Sequence, residues 1–137
     1  MRLSPIYKRA ADLERKNVSY GLGATYLAAG TALMLGFTGT TSLLLFGIVA
    51  LFFGDSIATI VGISRKGAEP LPYNKYKTIA GTLAFFFAVA IVGYFMVGIY
   101  AIPLAGVLAF VESLDTFLDD NIRTGIVVVI LGAVLGL

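Results

Sequence analysis

The sequence predicts an all-α fold: a polytopic membrane bundle of about five transmembrane helices, forming one domain over residues 1–137 with a cytoplasmic N-terminus. Three observations lead there. Hydrophobic residues make up 58% of the chain and charged residues 13%, with a mean hydropathy of +0.92. A water-soluble domain of this size would leave far too much apolar surface exposed. The apolar residues also gather into five runs, most of them near the roughly 20 residues that a bilayer crossing needs. Finally, all ten Lys and Arg fall in alternate connections, which is the pattern of a chain threading a membrane.

The elements follow in order. Residues 1–18 are polar and basic, with no signal-peptide core. "SPIYKRAADLERKN" reads as an interfacial amphipathic helix, with Ser4 as cap and Pro5 at the first helical position. Spans are expected at about 19–37, 42–63, 79–100, 103–118 and 122–137, the last one short. "TGTT" after the first span and "AI" after the third carry no charge. Arg2, Lys8, Arg9, Arg15 and Lys16 precede the first span. Arg65, Lys66, Lys75 and Lys77 lie in the loop 64–78, and Arg123 lies between spans four and five. The positive-inside rule makes that side cytoplasmic. The pI near 9.0 is therefore a topology signal and does not indicate nucleic-acid binding.

The chain has no Cys and no His. Disulfides and thiolate metal sites are excluded, and the commonest general base is missing. Chemistry must come from carboxylates, Lys, Arg, hydroxyls, the backbone, or an oxygen-bound metal.

The acidic residues interrupt the apolar runs. Asp55 sits in span two; Glu112 and Asp115 sit in span four, with Asp119 and Asp120 following. An ionisable group within a span costs about 2.5–3.5 kcal/mol on insertion scales and marks function by default. On the expected helix ends, Asp55 and Glu112 both lie about 12 Å from the cytoplasmic end. Glu112, Asp115 or Thr116, and Asp119 would share one helical face, as would Asp55 and Thr59. A carboxylate cluster below the cytoplasmic surface is expected, and a hard cation such as Mg²⁺ would relieve its repulsion and bring phosphates with it. The rival expectation is that these acids form structural ion pairs with Lys75, Lys77 or Arg123.

The loop "SRKGAEPLPYNKYKTIAGT" is kept from helix by Gly67, Pro70 and Pro72. Thr78 is the expected cap of span three. A helix N-terminus with Lys75 and Lys77 beside it, and Gly81 in its first turn, makes a phosphate cradle. It lacks Walker A spacing. The same residues would also serve as snorkelling anchors and a packing glycine. The residues alone leave both readings open. Gly54, beside Asp55, reads as a packing position.

"GDSIATIVG" followed by a basic, Pro-containing loop and "KYKTIAGTLAFF" resembles the CTP-dependent polyprenol kinases: dolichol kinase, phytol kinase and the CTP-dependent diacylglycerol kinase. The matching positions are Gly54, Asp55, Ala58 and Gly62, then Lys77, Thr78, Gly81 and Thr82, then Glu112 and Asp120-Asn121. "ERKNVSYGLGATYLAAGTAL" is similar to the segment preceding the Asp motif in phytol kinase relatives. The resemblance covers about residues 14–121, with Ala80 standing where many relatives carry Glu.

The resemblance implies transfer of the γ-phosphate of CTP to a polyprenol or other lipid alcohol. It assigns nucleotide binding to Lys77, Thr78, Gly81 and Thr82, which Lys75 joins from the cradle reading. It gives catalysis and Mg²⁺ to Asp55, Glu112 and Asp120, with Gly54, Gly62 and Asn121 in support, and Thr59 is added by the face it shares with Asp55. The alternatives are a CTP-dependent phosphatidate-type cytidylyltransferase and a non-catalytic membrane subunit or small transporter. Expected partners are the bilayer, CTP and an isoprenoid or lipid alcohol, in a homodimer.

Overall fold

The computed structural model describes residues 22–64 and 69–136. The predicted interfacial helix over 1–18 lies outside the described residues, as do 19–21 of the first expected span. The described chain is mainly helical. α1 (Leu22–Phe37) is followed by α2 (Thr41–Ile48), a π-helical turn (Val49–Gly54) and α3 (Asp55–Ser64). Then come β1 (Pro70–Leu71), β2 (Asn74–Thr78), α4 (Ile79–Val97), a 3₁₀ turn (Gly98–Tyr100), α5 (Ala101–Ser113) and α6 (Asp120–Leu135).

Two helical stretches are long and apolar enough to cross a membrane, Thr41–Ser64 with 24 residues and Ile79–Ser113 with 35. The second is a helical hairpin. Gly98 has φ +61° and ψ −142°, a conformation open essentially to glycine, and it reverses the chain so that α5 packs back along α4. Fifteen apolar residues from all five helical runs build the core, with Met34, Phe46, Phe85, Leu108 and Val128 fully buried. Around them the outer surface is itself apolar: Phe37, Ile63, Ile91, Phe95, Phe110 and Val134 are all more than half exposed. A continuous apolar exterior of this kind marks a membrane or protein contact surface.

Small residues set the close crossings. A Cβ on Gly125 would stand 2.7 Å from the Gly30 carbonyl oxygen, and one on Gly30 would strike the carbonyl of Asn121. α1 and α6 therefore touch backbone to backbone.

Four expectations change. The all-α expectation misses a β-hairpin in the loop 64–78. Its strands are antiparallel, pairing Pro70 with Thr78 and Leu71 with Asn74 around a bulge, and the Ile79 N–H donates to the Glu69 carbonyl at 3.1 Å. Pro72 and Tyr73 make its turn. The fourth expected span, 103–118, is shorter and shifted: α5 runs Ala101–Ser113, and Leu114 is already extended. Asp115, Thr116 and Asp119 therefore do not share a helical face with Glu112, and Glu112 lies at the end of its helix. The second expected span is one continuous helical run, but the π turn inserts an extra residue just before Asp55, which turns α3 relative to α2 by roughly 100°. The last helix starts at Asp120, earlier than 122, because Asp119 caps it.

Candidate functional site

The site forms where four element ends meet. α4 begins there, capped by Thr78, whose hydroxyl accepts the Gly81 N–H at 3.1 Å. α5 ends there with Glu112 and Ser113, α6 begins with Asp120, and α3 passes alongside. Gly81 permits the approach of α3: a Cβ there would lie 2.9 Å from the Ala58 carbonyl oxygen.

The resulting cleft has a volume of about 240 Å³. Thr59 and Gly62 of α3, Lys77 and Thr78 of the hairpin, Gly81 and Thr82 of α4, and Glu112 of α5 line it. These residues come from three separate sequence motifs.

Charges are paired across the cleft's inner wall. The Lys77 ammonium donates to Glu112 Oε1, and it stands 2.9 Å from Asp120 Oδ2. Arg123 Nη2 holds the other oxygen of Asp120 at 2.7 Å. The same guanidinium donates to the Thr116 hydroxyl through Nη1 and to the Glu112 carbonyl at 3.3 Å through Nη2. Burial alone would lower the Lys77 ammonium, but the charges and hydrogen bonds of Glu112 and Asp120 outweigh it and hold Lys77 above its ordinary value of 10.5. Lys77 is therefore a fixed positive charge with one N–H still to give.

Two of these residues, Glu112 and Arg123, are nearly inaccessible, at 2% and 7% exposure. Two buried oxygens in the cleft, Glu112 Oε2 and Thr82 Oγ1, have no hydrogen-bond partner among the described residues.

The arrangement corrects the expected carboxylate cluster. Among the described residues no three acidic side chains come together to hold a metal. Glu112 and Asp120 are instead bridged by Lys77 and Arg123, the rival expectation. Both oxygens of Asp120 are engaged, so a protein cage of Asp55, Glu112 and Asp120 does not fit a metal. Asp55 lies near enough for its charge to act on Glu112, and it shares a helical face with Thr59 and Gly62. Mg²⁺ commonly arrives with phosphates and needs only one or two carboxylates.

Other expected residues stand apart from the cleft. Lys75 is exposed on the hairpin and does not line it. Gly54 packs against Phe85 and Val89, where a Cβ would meet Val89 Cγ2 at 2.6 Å. Asn121 touches α1 through its backbone, and its N–H is taken by Asp119 at 2.9 Å. The free N–H groups expected at the start of α4 are partly used within the protein: Ile79 bonds Glu69 and Gly81 bonds Thr78.

Asn74, Tyr73 and their common partner Ser113 were not anticipated in their roles. Asn74 is buried; its Nδ2 donates to the Ser113 carbonyl at 2.9 Å and its Oδ1 accepts the Tyr76 N–H at 3.0 Å. The Tyr73 hydroxyl shares a 2.8 Å hydrogen bond with the Ser113 hydroxyl. Together they clamp the hairpin to the end of α5. Pro72-Tyr73-Asn74 was the available turn signal.

No family model matches the chain, and no solved structure matches it. An uncharacterized protein of Methanocaldococcus jannaschii is 35% identical over 120 residues, which cover 86% of this chain and 61% of that protein. A probable phytol kinase 3, chloroplastic, of Glycine max is 33% identical over 127 residues, covering 80% of this chain and 40% of that protein. The chain thus spans less than two thirds of the length of either relative.

Proposed function

We propose that this chain is a membrane kinase that transfers the γ-phosphoryl group of CTP to the hydroxyl of a lipid alcohol, such as dolichol, phytol or geranylgeraniol, at the cytoplasmic face. The observation that carries it is the cleft: a half-buried, doubly paired lysine beside a helix start, next to a carboxylate with one oxygen unpartnered among the described residues. The similarity to a phytol kinase supports the lipid-alcohol class. CTP as donor rests on the residue pattern from Gly54 to Thr82.

Five crossings are proposed, with α1, α2–α3, α4, α5 and α6 each passing the bilayer and the cleft facing the cytoplasm. The short helices α5 and α6, with 13 and 16 residues, extend about 20–24 Å and would need local thinning or tilt of neighbours.

In this reading Lys77 and Thr78 hold the nucleotide phosphates, helped by the dipole of α4. Lys75 steers the anion from its exposed place on the hairpin. Asp55 would hold an Mg²⁺ ion arriving with the nucleotide, and the ion would neutralise charge at the phosphates. The alcohol oxygen attacks the γ-phosphorus and a new O–P bond forms. The bond from the γ-phosphorus to the bridging oxygen breaks, and CDP leaves with that electron pair. The hydroxyl proton passes to a cleft carboxylate.

Purified chain with CTP labelled in the α- or γ-phosphate and a panel of membrane alcohols tests this. Label from the γ position should appear on the alcohol, with CDP as co-product, and Lys77→Ala or Asp55→Asn should lower the rate by about 100-fold or more. Label from the α position in the lipid, with pyrophosphate released, would instead establish a cytidylyltransferase. Full γ-transfer in both variants would refute the site.

A further inference from the structure

The two oxygens without partners have a chemistry of their own. Glu112 Oε1 is held by the Lys77 ammonium, which leaves Oε2 as the carboxylate oxygen available to accept a hydrogen bond. Thr82 Oγ1 is a hydroxyl that can both give and receive. Both line the same cleft, one from the first turn of α4 and the other from the end of α5. Buried polar atoms without partners are costly and uncommon, so the pair specifies what would satisfy it.

A phosphate oxygen does not. It has no hydrogen for Glu112 and carries the same charge. A hydroxyl does: it donates to Glu112 Oε2 and accepts from the Thr82 O–H. Across the cleft stand Ala58, Gly62 and Ile63 of α3, and Ile63 is three-quarters exposed on the apolar exterior. A chain attached to that hydroxyl leaves the cleft over apolar surface.

We infer that Thr82 and Glu112 form the docking point for the hydroxyl of the acceptor alcohol. Thr82 then belongs to the acceptor side of the cleft, and the phosphates to the Lys77–Thr78 side. Glu112 Oε2 receives the hydroxyl proton as the new O–P bond forms. This assignment rests on the proposed kinase reading for its place in a reaction, while its binding chemistry can be tested alone.

The test uses the full chain in nanodiscs, without nucleotide. Geranylgeraniol and its methyl ether compete against a long-chain alcohol bearing a diazirine, and crosslinking is read. The ether keeps an acceptor oxygen but has no hydrogen to donate. The alcohol should compete about 10-fold better than the ether, and Glu112→Gln should reduce that preference to about 3-fold or less, while Thr82→Val, which removes a donor that both ligands can accept from, should lower the affinity of each about 10-fold. Thr82→Ser should restore it, and thermal melting verifies that each variant is folded. In the kinase assay Thr82→Val should raise the KM for the alcohol about 10-fold and leave the KM for CTP unchanged.

Equal competition by alcohol and ether in the wild type would overturn the inference. So would a Thr82→Val variant whose KM changes for CTP alone, which would place the hydroxyl contact on the nucleotide; the kinase reading would survive that result. Conversely, preference for the alcohol without any γ-transfer would refute the kinase reading and leave the hydroxyl site standing.

Discussion

Lys77 is the residue on which the site balances. Its ammonium satisfies Glu112 and Asp120 together, and Arg123 completes the neutralisation from the far side of Asp120. Replacing it with methionine strands the Glu112 carboxylate in a largely buried wall and takes one of its two cationic partners from Asp120. Lys77→Met is expected to cost about 3 kcal/mol or more of stability, read as a lowered melting temperature in detergent. The pH dependence has a definite sign. The folded protein holds Lys77 above its ordinary 10.5. Its contribution is therefore complete below the unfolded value and is lost only as pH rises through the raised folded one. A melting series from pH 6 to about 9 should show no loss assignable to this group. Lys77, Thr78 and Gly81 were legible in the chain because their spacing is local, a cap and a first turn. The role of Arg123 was not. It reaches Thr116 and the Glu112 carbonyl across a loop whose course depends on where α5 stops.

At the scale of elements, that stop has a physical cause. The last carbonyls of a helix need partners. Here Asn74 of the hairpin takes the Ser113 carbonyl and Arg123 of α6 takes that of Glu112. Neighbouring elements thus satisfy the end of α5 and let the chain leave helix at Leu114. Hydropathy places this boundary too late, because Leu114, Phe117 and Leu118 are apolar yet lie in the connection. The hairpin was missed for a related reason: two-stranded ribbons carry weak local signals, and this one is held by contacts to α5. The α3–α4 crossing depends on Gly81. Gly81→Ala should drive a methyl against the Ala58 carbonyl, costing about 1–3 kcal/mol and widening the cleft. The melting temperature should fall and the KM for CTP should rise together; an unchanged variant would show that α3 has room to move.

Among the described residues, the apolar exterior and the charged end that holds Lys77, Glu112, Asp120 and Arg123 are the governing features. The chain has no cysteine, so single introduced cysteines report topology directly. With five crossings, Lys75→Cys and Asp115→Cys should react with a membrane-impermeant maleimide only from the cytoplasmic side. Gly39→Cys and Ile99→Cys should react only from the other side. Labelling of Lys75 and Ile99 positions from one common side would break the proposed threading, because α4 would then not cross. The antiparallel course of α4 and α5 around Gly98 makes this pair the most informative.

Composition and the one-sided distribution of Lys and Arg were enough to predict helices of membrane character and the end at which the cleft forms, because hydropathy and charge act along the chain and need no partner. The identity of the cleft residues was largely readable as well, since each motif is a local helix start or helix face. The charge state of the cleft was not. Whether Glu112 and Asp120 meet a metal or a lysine depends on which helix ends are brought level, and that follows from the Gly81 and Gly30–Gly125 crossings, the Gly98 reversal and the early end of α5. Pairing between charges more than thirty residues apart is a property of packing, and only the folded chain places Lys77 between the two carboxylates while leaving one buried oxygen of Glu112 without a partner among the described residues.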